Sequence, residues 1–208
     1  MNVRIAVIHY SATGVVHQLA TALAQGATNA GAEVRLRRVA ELAPPEAIAA
    51  NSKWQAHRDR ENAADGTPLA TLDDLAWADG IALGSPTRFG GPAAQLKNFL
   101  DQSGSLWFKG LLAGKVVTGF TSASTAHGGL ESTVLAMLNV AYHWGSIIMP
   151  LGYGPPVVSK STGNPYGASW VSRKGSLPDD DALAAANAQG TRLAEVAAAL
   201  SAAQRTTS

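Results

Sequence analysis

The chain has 208 residues, of which 46% are hydrophobic and 15% charged, with a formal net charge of +1 and no cysteine. That length supplies one substantial core and is short for two domains, and the near-neutral charge leaves no basic stripe for nucleic acid, since Arg37, Arg38, Arg58 and Arg60 sit among acids. The missing cysteines exclude disulfide scaffolds, thiolate-bound zinc, iron–sulfur clusters and thiol nucleophiles together, and with no apolar run long enough for a membrane and no signal-peptide pattern the expected location is cytoplasmic.

Residues 3–10 read as a largely apolar strand, followed by the turn Ser11-Ala12-Thr13-Gly14-Val15-Val16 and a helix with Val16, Leu19, Ala20, Leu23 and Ala27 on one stripe. Asn29-Ala30-Gly31 is a helix stop, and Glu33 to Val39 alternates as a second strand, completing a βαβ start. Residues 40–68, with Pro44-Pro45, Asn51, Gly66 and Pro68, read as a long surface excursion with a short helix around Pro45 to Ala50. A helical turn near Leu69 to Ala76 precedes a third strand, Gly80 to Gly84, which ends in the loop Ser85 to Gly91. Pro92 opens a helix to about Gln102, and a fourth strand, Lys115 to Thr121, runs into the polar loop Ser122 to Gly129. A helix from Leu130 to His143, a fifth strand from Ser146 to Leu151 and a Gly/Pro/Ser-rich surface segment over 152–178 follow. The last helix runs from Asp179 to Ala202 with Leu183, Leu193, Val196 and Leu200 inward. Residues 1–202 are expected to form one domain and 203–208 a frayed tail.

Five strands separated by helices describe an open α/β sheet, and the doubly wound order 2-1-3-4-5 brings the turns at Ser11 and Ser85 together at a topological switch point. Read alone, the opening turn is a capped helix start. Its free N–H groups, its hydroxyls and the helix dipole also suit a phosphate, and the convergence of three strand-end loops favours that reading. There is no Walker A lysine and no dinucleotide fingerprint, which disfavours ATP and Rossmann-bound NAD. A mononucleotide held for its ring chemistry fits, FMN foremost, with the loops after the third and fourth strands lining a flat isoalloxazine. His9, in an apolar strand, reads as structural, and His17 and His57 carry no role.

The opening turn, Gly84-Ser-Pro-Thr-Arg-Phe-Gly90, Phe99 to Trp107, His127-Gly-Gly-Leu-Glu131, Pro150 to Tyr153 and Asn164 to Ala168 together resemble the WrbA-type NAD(P)H:quinone oxidoreductases, flavodoxin-like FMN proteins, over nearly the whole chain. The resemblance implies that Ser11, Ala12, Thr13, Gly14, Val15 and Val16 hold the FMN phosphate. It implies that Pro86, Thr87, Arg88, Phe89 and Gly90 line the flavin, and that Ser122, Ala123, Ser124, Thr125, Ala126, His127, Gly128 and Gly129 embrace the ring edge and ribityl chain. His143 falls at the family's histidine over the flavin, with Arg88 as an electrostatic partner, and Trp107, Phe89 and Thr13 on the substrate side. Two positions depart from the family: Thr13 stands where an aromatic is frequent, and Trp144 where a second histidine commonly follows the first. The implied activity is ping-pong, two-electron reduction of quinones by NADH or NADPH, with a detoxifying role in oxidative stress. The implied assembly is a homotetramer, a dimer of dimers, with contacts in residues 40–68 and 152–178. The alternative is a flavodoxin-like one-electron carrier that docks protein partners, which the near-neutral charge opposes.

Overall fold

A computed structural model describes residues 3–206. Its strands are β1 (Arg4–His9), β2 (Glu33–Arg38), β3 (Gly80–Arg88), β4 (Gly91–Pro92), β5 (Val116–Ala123), β6 (Ile147–Ile148) and β7 (Ser169–Val171). The helices are α1 (Val15–Asn29), α2 (Pro45–Ala49), α3 (Ser52–Glu61), α4 (Leu72–Trp77), α5 (Ala94–Asp101), α6 (Gly104–Phe108), α7 (Leu130–Trp144), α8 (Val157–Lys160) and α9 (Asp180–Thr206). Among the described residues no helix is long and apolar enough to cross a membrane.

The sheet follows the path β2-β1-β3-β5-β6, parallel throughout, with Val7 paired to both Leu36 and Ala82. β1 and β5 are almost wholly buried because helices cover both faces, which is why their sequences run apolar rather than alternating. One face packs on α1 and α9 around Leu19, Leu23, Phe120 and Leu193, and the other on α5 and α7 around Leu96, Leu100, Val134 and Met137.

The sheet has seven strands rather than the expected five, and two of them lie off the main path. The third strand does not stop at Gly84. It stays extended to Arg88 and folds back, pairing Thr87 with Pro92 and Arg88 with Gly91. Phe89 (φ 54°) and Gly90 (φ 81°) both take positive φ, the requirement of a tight two-residue hairpin turn. Pro92 is consequently a strand residue, and the helix expected to begin there starts at Ala94. The expected fifth strand, Ser146 to Leu151, is reduced to β6, and β7 is a further strand within 152–178, where a surface segment was expected. β6 pairs with Val116 and Val117 at the start of β5, and β7 pairs with Thr121 to Ala123 at its end, so the same edge of β5 is covered twice.

Residues 40–68 hold a ten-residue helix, α3, where no periodicity was expected. Asn51, which reads as a breaker, is its cap: the side-chain Oδ1 accepts from Lys53 N at 3.1 Å and Trp54 N at 3.2 Å. α9 starts where expected, with Asp179 Oδ1 accepting from Ala182 N at 2.9 Å, and extends to Thr206; residues 207–208 lie outside the described residues.

Candidate functional site

β1 delivers the chain into α1 through Ser11 to Gly14 at the carboxyl end of the sheet. Gly14 has φ 93°, a conformation that costs other residues strain, and its N–H donates to Ser11 Oγ at 3.1 Å. No side chain caps α1, so the N–H groups of its first turn are free for an anion, and Val15 and Val16 anchor the turn in the core.

Ser11, Ala12, Thr13, Val15 and Val16 line one cleft of about 230 Å³ together with Pro86, Thr87 and Arg88 from β3 and Ser122, Ala123 and Ser124 from the end of β5. Three loops far apart in sequence therefore meet, as the topological switch requires. No lining residue is acidic. Ser172 and Gly175 complete the wall and were missed by the sequence reading. They arrive because β7 runs alongside β5, where Ser172 N donates to Ala123 O at 2.7 Å.

The other expected residues lie around the cleft or away from it. Gly14 backs the turn. Phe89 stands fully exposed at the hairpin tip, with Gly90 beside it. Thr125, Ala126 and His127 form an exposed loop. Gly128 and Gly129 hold that loop to the hairpin: Thr87 Oγ1 donates to Gly128 O at 3.2 Å and accepts from Gly90 N at 3.3 Å, and a Cβ on Gly129 would meet Gly90 Cα at 2.8 Å. The glycine pair thus serves a close backbone approach, and Thr133 Oγ1, 2.8 Å from Thr87 Oγ1, secures it from α7. His143 and Trp107 are not brought to this cleft. His143 lies on the last turn of α7, about 20 Å of helix from the loop at its start, and Trp107 is exposed on α6. Trp144 is buried, its Nε1 donating to Ser103 Oγ at 3.1 Å, so this departure from the family pattern is a core anchor.

Behind the turn lies a cluster that sequence spacing conceals. His9 at the end of β1, His17 on α1 and His57 on α3 come together: His9 Nε2 and His17 Nδ1 are 3.3 Å apart, and the His17 and His57 ring centroids 5.5 Å. Glu61 Oε1 is 3.3 Å from His17 Nδ1, and Glu61 Oε2 is 3.0 Å from Arg38 Nε. Burial, then the neighbouring imidazoles, depress His9 to about 3 and His57 to about 4. Burial also lowers His17, against the pull of Glu61. Glu41, nearby, lies below the carboxylate range although burial opposes this, because Ala43 N, Gln95, Tyr10 and Leu42 N all donate to it.

These imidazoles are neutral when folded and titrate near 6.5 when unfolded, so below that pH the unfolded chain binds more protons and stability falls. It is fully present above about pH 6.5 and is lost as the pH drops toward 3–4. At about pH 5 the loss is roughly 2 kcal/mol for each of His9 and His57. The depressed carboxylates contribute only at lower pH, so a urea midpoint unchanged between about pH 7.5 and pH 5 would contradict this account.

An uncapped helix start facing two further strand-end loops, on a parallel sheet with helices on both faces, defines a flavodoxin-like protein. The family model described as NADPH-dependent FMN reductase matches residues 3–154, and the chain belongs to that family. It is similar to an NAD(P)H dehydrogenase (quinone) of Deinococcus radiodurans, 41% identical over 86% of this chain and 88% of the relative. A Methylocella silvestris protein of the same description is 43% identical over 95% of this chain and 98% of its own. Among solved structures, a flavodoxin, WrbA-like protein from Agrobacterium tumefaciens superposes with a TM-score of 0.67 at 25% identity, covering 95% of this chain and 98% of that one.

Proposed function

We propose that the protein is an FMN-dependent NAD(P)H:quinone oxidoreductase. The observation that carries this reading is the cleft: hydroxyls and free amides at an uncapped helix start with no carboxylate among them, the donor set a phosphate and ribityl chain require. When bound, FMN supplies acceptance of a hydride from the nicotinamide and delivery of two electrons to a quinone. Ser11, Thr13 and the first-turn amides of α1 hold the phosphate, and Ser122, Ser124 and Ser172 face the ribityl hydroxyls. The Thr87 to Gly90 hairpin flanks the ring. Arg88 forms no ion pair among the described residues and donates only to Thr87 O, so its remaining N–H groups are free for oxygens that gain negative charge.

His143 and Trp107 reach a flavin only from a neighbouring copy. A homotetramer supplies that neighbour, and the exposed Trp107 (53%), Phe108 (84%) and Tyr142 (65%) on α6 and α7 support such a contact. The proposed compartment is the cytoplasm, where NAD(P)H is available.

Under anaerobic mixing, NADH or NADPH should bleach the flavin absorbance of the purified protein and benzoquinone should restore it; absence of either half overturns the enzyme reading. Phe108→Asp should yield a smaller species by light scattering that retains FMN but loses most quinone turnover. A tetramer of unchanged activity would show that α6 is not at the contact.

A further inference from the structure

The described site leaves α3 without a role, although it touches both walls of the cleft. His57 packs behind the phosphate turn, its Nδ1 3.4 Å from the position a Cβ on Gly14 would take. At the other end Lys53 Nζ donates to Lys174 O at 3.0 Å and Gly175 O at 3.4 Å, and Gly175 lines the opposite wall. Yet α3 is a polar helix with little apolar attachment. Only His57 and Glu61 are buried, and Trp54, half-buried, is tied by its Nε1 to Glu41 Oε2 at 3.1 Å. An element held chiefly by polar contacts sits at the low-stability end of a fold.

We propose that α3 is a proton-released clamp on the phosphate cleft: protonation of His17 and His57 detaches the helix and loosens the flavin held behind it. This rests on the FMN reading above. The charged and titratable groups around the two imidazoles are His9 on β1, Arg38 on β2, Glu41 after β2, and Arg58, Arg60 and Glu61 on α3 itself, with Asp65 in a separate hollow beside His17 and His57. Three arginines and a third imidazole oppose a proton there. Glu61 is shared between His17 and Arg38, and the positive end of α1 adds to the repulsion. His9 cannot relieve the crowding, because it is fully buried at the end of β1 and its Nδ1 has no hydrogen-bond partner. A proton on His57 is accommodated by moving α3 into water, which also withdraws the ring from Gly14 and Lys53 from Gly175.

The linkage sets the size. When α3 detaches, His57 returns from about 4 to the ordinary value near 6.5, so going from about pH 7.5 to about pH 5 favours detachment about thirtyfold, and His17 adds to this. Two measurements on the full chain test the proposal. In the flavin-free protein, hydrogen-exchange protection of the α3 amides, corrected for intrinsic exchange, should fall about thirtyfold or more over that range. In the FMN-loaded protein, the release rate read by flavin fluorescence should rise by a similar factor. His17→Gln/His57→Gln should flatten the exchange response, and should reduce the release response to what the titration of FMN's own phosphate leaves. α3 protection that ignores pH in the natural sequence overturns the proposal, as does an undiminished acid response in the double variant or α3 opening without faster FMN release. If the double variant fails to fold, His57→Gln alone, which should lose the larger part of the response, decides. Failure to take up FMN at neutral pH would be seen before any acid step and would refute the cofactor reading instead.

Discussion

Gly190→Ala should lower the thermal midpoint by roughly 4–8 °C, although alanine is the better helix former by about 1 kcal/mol. Gly190 lies within α9, and a Cβ there would sit 1.9 Å from Leu23 O and 2.8 Å from Leu23 C on α1. The contact is reciprocal, since a Cβ on Gly26 of α1 would sit 2.0 Å from Asn187 O. The two helices touch backbone to backbone, and Asn187 Nδ2 and Thr191 Oγ1 donate across to Ala22 O (3.3 Å) and Gly26 O (3.2 Å). Restoring ordinary contact needs a separation of roughly 1.5 Å, which unpacks Leu19, Leu23 and Leu193. Overpacking of this kind costs about 1–3 kcal/mol, and more when backbone rather than a side chain must move, so it outweighs the propensity gain. Gly104→Ala is the control, with nothing within 4 Å of its Cβ, and should change stability by less than about 0.5 kcal/mol. Once the helices have separated, the second substitution costs less, so Gly26→Ala/Gly190→Ala should lose less than the sum of the two singles. A midpoint unchanged in differential scanning calorimetry of Gly190→Ala would mean that α1 and α9 are not this close.

What the sequence disclosed follows from where information is local. β1 and β5 are almost wholly buried runs and the stripes of α1 and α7 are long and regular, so the parallel scaffold and the convergence of its loops were legible. Extent was less legible than existence. The hydroxyl-rich residues 85–88 look like loop because a strand that leaves the sheet for a hairpin no longer needs an apolar face. α3 was hidden because its sequence, Ser-Lys-Trp-Gln-Ala-His-Arg-Asp-Arg-Glu, carries no apolar stripe, and its attachment by hydrogen bonds and ion pairs leaves no periodic trace. β7 has only Ser169, Trp170 and Val171, between segments rich in glycine and proline, so Ser172 and Gly175 could not be placed at the cleft. The histidine cluster draws one residue each from β1, α1 and α3; no spacing rule joins positions 9, 17 and 57. His143 and Trp107 mark a different boundary, because only the resemblance assigned them to the flavin and the cleft does not contain them.

Thr13→Asp separates a phosphate seat from any other use of the turn. Thr13 lines the cleft, half-buried, one residue before the left-handed Gly14 and beside the free amides of α1. A bound phosphate carries about −1.5 to −2 charges at neutral pH. A carboxylate within about 5 Å of it, at an effective dielectric of about 20, repels it by about 3 kcal/mol for each unit of charge. The dissociation constant for FMN should therefore rise at least about 1000-fold. Riboflavin has the same ring and ribityl chain without the phosphate, so its affinity should change less than about threefold. Thr13→Asn, nearly the same shape without the charge, should leave both ligands close to their original affinities. Raising the salt concentration should recover part of the lost FMN affinity by screening and leave riboflavin unaffected. Flavin fluorescence titration reads all of these constants, and a thermal midpoint close to the original shows that the fold is intact. Equal losses for FMN and riboflavin would mean that residue 13 meets the ring or the sugar, and the uncapped start of α1 would then need a different anion. A selective loss for FMN fixes the phosphate at the turn, and with it the direction in which the ring runs, out between the Phe89 hairpin and the loop that ends at Gly129.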